Sequence, residues 1–388
     1  MLKMVDGTGI IGLDMVCPLG GAVSPPQPPN FDKVEVEGVG SLTLPNSLKA
    51  PLERLELIGN SVQGENPAPD NPQEIKSAGK WNEGTQKYEI DVKVTGKNLI
   101  PDTVGFEVGS FNYNTGVNAS LSDRGRLKEY IPIAPGKKYL VMVNGNTSID
   151  DIGVHFLDIN RFPVAGYGSA RFISPLNAYY VRIRYKGWTE NDKVSLQLQD
   201  TSLDYEPYTE QTLTLTSDRP ITKWDKLVKQ GGEYGWLYQS AVDTDVKPSR
   251  LDLFPNGFSL FKDFGNGVYV YKVTNIKKAI GFQTSLCEQF KNKDGSYSTG
   301  DLFCYSDQPS MQMQYFVTDI PTLEEFKTWM EANPLTMVYK TTQAEFIPLS
   351  ESEQTQLRNL HSYNGTTHVF VDSGEVPCGI KLTYRKEK

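Results

Sequence analysis

Two residue types in the middle of this 388-residue chain could do chemistry, aromatic rings and arginines. Between Thr95 and Tyr208 stand Tyr167, Trp188, Arg124, Arg126 and Arg171. Aromatic faces offer large rigid area to sugar C–H groups, and a guanidinium offers a planar fork of donors to hydroxyls. These five residues therefore have the chemistry of a carbohydrate-binding surface. The structural alternative stays beside it: Tyr167 and Trp188 cap the edges of a core, and the arginines pair with acids such as Asp123 or Glu129. Arg182 and Arg184 fall on the polar face of V-R-I-R-Y and are expected to do no more than solvate it.

Glycan hydrolysis would require two carboxylates flanking the scissile bond. Asp150, Asp151, Asp158 and Glu206 are available, but no spacing selects a pair. The chain has no G-x-S-x-G, H-E-x-x-H or P-loop sequence. Its three histidines, His155, His361 and His368, leave little for a triad or a histidine-rich metal site. The expectation is a protein that is not an enzyme.

The elements that must position these residues are strands. Tyr88–Val94, Y-E-I-D-V-K-V, alternates cleanly and reads as a half-exposed strand. Further strands are predicted at Leu127–Ile133, Lys138–Val143, Gly153–Asp158, Tyr179–Tyr185 and Lys193–Gln199. Turn signals at Pro135-Gly136, Asn144-Gly145-Asn146 and Gly166-Tyr167-Gly168 separate them. Many strands at short spacing predict a β-sandwich rather than βαβ units. Two helices are predicted late. Thr322 with Glu325 and Ser350 with Glu353 form capping boxes. Leu323, Phe326, Trp329 and Met330 make an apolar face on the first helix, and Leu357 and Leu360 face inward on the second. Two closing strands are expected at His368–Val371 and Ile380–Tyr384.

The division that follows is an extended arm at 1–30, a β-rich leader at 31–94, a β-sandwich module at 95–208 and an α+β region at 209–388. Ser24-Pro25-Pro26-Gln27-Pro28-Pro29 keeps the arm out of sheet and helix, while Ile10, Ile11, Leu13 and Val16 make it apolar enough to dock on another subunit. Leader and C-terminal region are expected to share one scaffold, with the module as an excursion from it. The formal charge of −8 argues against a nucleic-acid partner. No apolar run approaches the ~20 residues of a membrane helix, and the N-terminus lacks the long apolar core of a signal peptide. Cys17, Cys287, Cys304 and Cys378 show no metal-ligand spacing and are expected reduced; Cys287 with Cys304 across a hairpin is the one pairing to test.

Three motifs together resemble tail, baseplate and fibre structural proteins from phages of Gram-positive bacteria. They are N-S-V-Q-G-E-N-P-A-P-D-N-P-Q-E-I-K-S-A-G at Asn60–Gly79; the module's G-K-N-L-I-P, R-G-R-L-K-E-Y-I-P-I-A-P-G-K-K-Y, V-H-F-L-D-I-N, Y-V-R-I-R and Y-E-P-Y; and I-P-T-L-E-E-F-K-T-W-M-E-A-N-P-L-T-M-V-Y-K with Leu349–Tyr384. They cover residues 55–388. The resemblance implies a mainly-β virion protein whose module is similar to a carbohydrate-binding jelly roll. Implied partners are other virion proteins and a host-surface glycan; residues 1–30 lie outside the resemblance, and their role as the attachment to other virion proteins rests on the arm's own composition. A homo-oligomer, a trimer first, and a place in the virion tail after synthesis in the host cytoplasm are implied too. Such modules sometimes hold a structural calcium, for which Glu107 and Asp204 are the candidates. A head or neck decoration without glycan binding and a glycan depolymerase are the alternatives.

Overall fold

The computed structural model describes residues 5–6, 9–10, 30–101, 105–199, 204–247, 261–263, 268–272, 285–292, 301–305, 313–317 and 319–388. Most of the arm, and with it the docking expectation, lies outside them.

The described residues are mainly β, with two short helices among them. One large antiparallel sheet collects strands from both sides of the module. Its order runs Glu210–Ser217, Lys87–Thr95, Gly365–Asp372, Ser41–Ser47, Gly379–Glu387, Arg54–Ile58, Lys226–Gln230, Glu233–Val246, Leu335–Pro348 and Ser285–Cys287. Alternation puts Leu44, Leu57, Val92, Val94, Leu215 and Leu382 on one face, and together they form one buried cluster. The sheet curls until distant strands touch. Trp236 Nε1 donates to the Thr216 carbonyl at 2.8 Å, and the Ser217 and Tyr238 hydroxyls lie 2.6 Å apart.

Helix α2, Glu351–Asn359, lies beside this seam. The Glu353 carboxylate closes the expected capping box by accepting from Ser350 N at 3.0 Å. Its other oxygen accepts from Thr216 N and Oγ1 at 2.7 and 2.9 Å. Leu357 and Leu360 join the core as expected. Helix α1, Leu323–Ala332, has Thr322 as N-cap and buries Phe326 and Met330 against Cys287, Leu335 and Met337. Cys287 is a free, buried thiol whose pKa burial pushes up to about 12. Its strand pairs with Leu335–Pro348, whereas the strand of Cys304 lies in a separate five-stranded sheet opposite Gln314, so the two are not partners across a hairpin.

The module is a sandwich of two antiparallel sheets between Lys87–Thr95 and Glu210–Ser217. One sheet has the order Phe106–Val108, Arg124–Leu127, Tyr180–Lys186, Gly153–Leu157, Pro163–Tyr167, with Ile131–Pro132 also on Tyr180–Lys186. The other has Arg171–Ile173, Lys138–Val143, Val194–Leu198. Leu127, Val154, Phe156, Val181 and Ile183 of the first sheet meet Tyr139, Val141 and Leu196 of the second in a dry core. The predicted single strand Leu127–Ile133 is two pieces, because the chain bends at Lys128 and Glu129 and Pro132 cannot donate to a ladder. Gly166 and Tyr167, expected in a turn, instead end an edge strand.

The module leaves and rejoins the scaffold at one point. Thr95 is in register with Glu210, and Gly96 N donates to Thr209 O at 3.1 Å. Lys97 Nζ then reaches the Asp204 carbonyl at 2.8 Å, and Asn98 Nδ2 the Glu206 carbonyl at 3.2 Å. Phe370 of the scaffold packs into the module's own core cluster.

Candidate functional site

The five sugar-binding candidates do not converge. Trp188 packs over Gly125 and stacks on Phe106 at 6.4 Å, at one edge of the larger module sheet. Tyr167 ends the strand at the opposite edge, 41% exposed, with its ring edge-on to Phe156 at 5.6 Å. Arg171 is exposed on the smaller sheet, 3.5 Å from Thr147 Oγ1. Both rings therefore cap the core, as the structural alternative holds.

Arg124 and Arg126 stand on the outer face of the larger sheet, with neighbours that the sequence did not suggest. Arg182 and Arg184 were expected to solvate this face but are buried in it. A turn-back of the chain, Ser110–Phe111 paired with Asn118–Ala119, folds over them. Arg182 Nε donates to the Leu127 carbonyl at 2.5 Å and Nη1 to Asn118 Oδ1 at 2.8 Å. Arg184 Nε donates to the Phe111 carbonyl at 3.0 Å, and Nη1 to the backbone and side-chain oxygens of Asp151, both at 2.9 Å. Arg124 pairs with Asp151 as well, and lies 3.6 Å from Asp123, the acid expected for it. Arg126 reaches Glu107 rather than Glu129, at 2.7 Å, and also the Ser110 carbonyl at 2.7 Å.

Burial works against the Asp151 carboxylate, but Arg184 and Arg124 outweigh it and hold its pKa below the usual range. His155 shares the face, its Nδ1 2.7 Å from the Tyr130 hydroxyl. Burial first, and Arg182 second, lower its pKa, so the imidazole is neutral.

The calcium candidates are not brought together as a site. Glu107 faces two guanidiniums, Arg126 and Arg182, so a cation there would meet positive charge. Asp204 lies at the module's stalk, where its carbonyl accepts from Lys97. Among the described residues, no group of three or more His, Cys, Asp or Glu could hold a metal ion. The hydrolytic candidates are scattered too. Asp151 is bound as above, Asp150 lies 3.8 Å from Lys186, and Glu206 lies 3.4 Å from Lys97. Asp158 accepts from the backbone of Asn160 and Phe162 at 2.9 and 2.8 Å.

Module and scaffold face each other across a cleft of about 280 Å³. The module supplies Tyr130, Pro132, Ile159, Arg161, Tyr179 and Tyr180; the scaffold supplies Gly40, Ser41, Asp91, Lys93, Phe370 and Asp372. The Arg161 guanidinium sits 3.8 Å over the Tyr180 ring. Tyr179 lies against Gly40, whose φ of +67° favours glycine and where an added Cβ would lie 3.0 Å from the Tyr179 ring. Lys80 bridges the two carboxylates, Asp91 and Asp372. Burial raises the Asp91 pKa, but Lys80 and the Thr214 hydroxyl at 2.6 Å outweigh it, and the group stays ionised. Lys93 pairs with Glu210 at 3.1 Å. No motif marks this cleft in the sequence, since Asp91, Arg161 and Asp372 are far apart along the chain.

No known protein family, curated protein or solved structure matches this chain.

Proposed function

We propose that this chain is a non-enzymatic structural protein of a phage tail, a baseplate or fibre component, that displays its jelly-roll module for adhesion to host-surface glycan. The observation that carries the display role is the single attachment point. The module enters at Thr95 and leaves at Glu210, two residues opposite each other on adjacent strands. Such a module projects from the scaffold without interrupting it, which is what an adhesive domain on a particle requires. The tail assignment rests on the motifs at Asn60–Gly79, in the module and in the C-terminal region. In this reading residues 31–94 and 209–388 are the particle-facing scaffold, residues 1–30 anchor it to other virion proteins, and the assembled form is a homotrimer. The engagement of Asp151 and Asp158 in structural contacts supports a binding role over hydrolysis.

Electron microscopy of particles labelled at Lys388 tests the assignment. Label at the tail tip or fibres is expected, and label on the capsid would replace it with a head or neck decoration. Release of reducing ends from host wall by the purified chain would make it a depolymerase instead.

A further inference from the structure

The larger module sheet has spent its arginines on its own carbonyls and carboxylates, so adhesion requires other donors. The module–scaffold cleft has them, along with acceptors and aromatic walls. We propose that this cleft binds the end of a neutral glycan chain, gripped by residues of both units. The inference rests on the adhesive reading above and assigns its site.

Three features point to this ligand class. First, the half-buried Tyr179 ring, with Arg161 stacked on the buried Tyr180 beside it, puts aromatic surface next to polar groups, the combination that a sugar's apolar C–H patches and hydroxyls demand. Second, the polar groups have both signs. Asp91 and Asp372 accept, while Lys93 and Arg161 donate. A hydroxyl both donates and accepts, so a row of them satisfies such a wall. Lys80 on the two carboxylates and Glu210 on Lys93 balance the charge around the cleft, so an anion gains no net attraction there, and an apolar ligand would desolvate charge without compensation. Third, about 280 Å³ is at the low end of ligand pockets, which run from ~300 to 1,000 Å³, so the cleft suits a chain end rather than a long segment. The walls are preset on both sides. Arg161 is held on Tyr180, and Tyr179 is laid on Gly40, which limits the ordering cost of binding.

The test uses the full chain. Methyl glycosides of glucose, galactose, N-acetylglucosamine and rhamnose, with glucuronic acid as the anionic comparator, are titrated at millimolar concentration by saturation-transfer NMR. Retention of the chain on purified host-wall polysaccharide is measured in parallel. At least one neutral glycoside is expected to bind. Arg161→Ala and Tyr179→Ala should each weaken both readouts by about tenfold or more, while Tyr167→Ala and Arg171→Ala leave them unchanged. Arg161 is exposed, so its variant keeps the test valid even where Tyr179→Ala disturbs folding. Wall retention that survives Arg161→Ala undiminished overturns the cleft while leaving adhesion intact. Binding of glucuronic acid alone overturns the neutral class. A chain that holds neither glycosides nor wall polysaccharide overturns the adhesive reading itself.

Discussion

Tyr130 separates two polar clusters built from the same residue types. Its hydroxyl touches His155 on the arginine-lined face of the module, and Tyr130 also lines the cleft against the scaffold. On the first side, Arg182 and Arg184 are 7% exposed and donate to backbone carbonyls. On the second, Arg161 is exposed and rests on a tyrosine ring beside open space. An arginine whose donors end on the backbone fastens one chain segment to another. One that keeps donors facing an open cleft can fasten a ligand. Composition does not distinguish the two roles; what covers the guanidinium does.

The largest way to break this contrast is on the closed side. Arg184→Ala leaves the Phe111 carbonyl without its donor and Asp151 with Arg124 alone, and should cost about 3 kcal/mol. Urea unfolding with an unchanged slope measures it. A loss under 1 kcal/mol would show the cover to be incidental.

Acid probes both sides at once. His155 behind the arginines and His368 beneath the module both have lowered pKa values, His368 to about 3, through burial first and nearby cations second. Each is neutral in the fold and gains a proton on unfolding. Their stability contribution is therefore complete above the unfolded value of about 6.5 and falls with pH below it. For His368 the expected slope is about 1.4 kcal/mol per pH unit between the unfolded value and about 3, and His155 adds to it in the same direction. His368→Gln should remove its share from a pH series of melting curves, and a slope unchanged by that variant would sink the assignment.

Gly166→Ala sharpens the contrast by prising off the cover. A Cβ there would lie 1.6 Å from the Tyr113 carbonyl, and the expected cost is about 1–3 kcal/mol, with faster amide exchange confined to 110–119. Uniform exchange across the module would argue against a separate cover. Arg161→Ala is the smallest change. Stability should stay within about 0.5 kcal/mol, and a larger loss would place Arg161 with the fastening arginines.

The strands were legible where one face is dry. Lys138–Val143 matches its expected bounds, and Tyr180–Lys186 and Val194–Leu198 lie within one residue of theirs. Both N-caps were readable because Thr322–Glu325 and Ser350–Glu353 are local contacts, although only Ser350–Glu353 closes the full box; the Glu325 carboxylate accepts from the Thr322 hydroxyl instead of its backbone N–H. The fate of Arg182 and Arg184 was not. V-R-I-R-Y reports that arginine faces away from the core, not whether something returns to cover it. The N-Y-N-T-G turn at Asn112–Gly116, between Phe111 and Val117, was the available signal that a short hairpin had to pack somewhere. The cleft was illegible for a different reason. Its walls come from both units and meet only through tertiary docking, so no sequence window contains the site.

The paired attachment at Thr95 and Glu210 also has a mechanical meaning. The two strands run in opposite directions but are joined to the module at the same end. A pull on the module draws both the same way, and the rungs between them carry little of the load. The load passes instead to the ladder joining Asp91–Thr95 to His368–Asp372, along the strand axis. Its rungs must then slide together rather than open one at a time, which is the stronger way to hang a tether from a sheet.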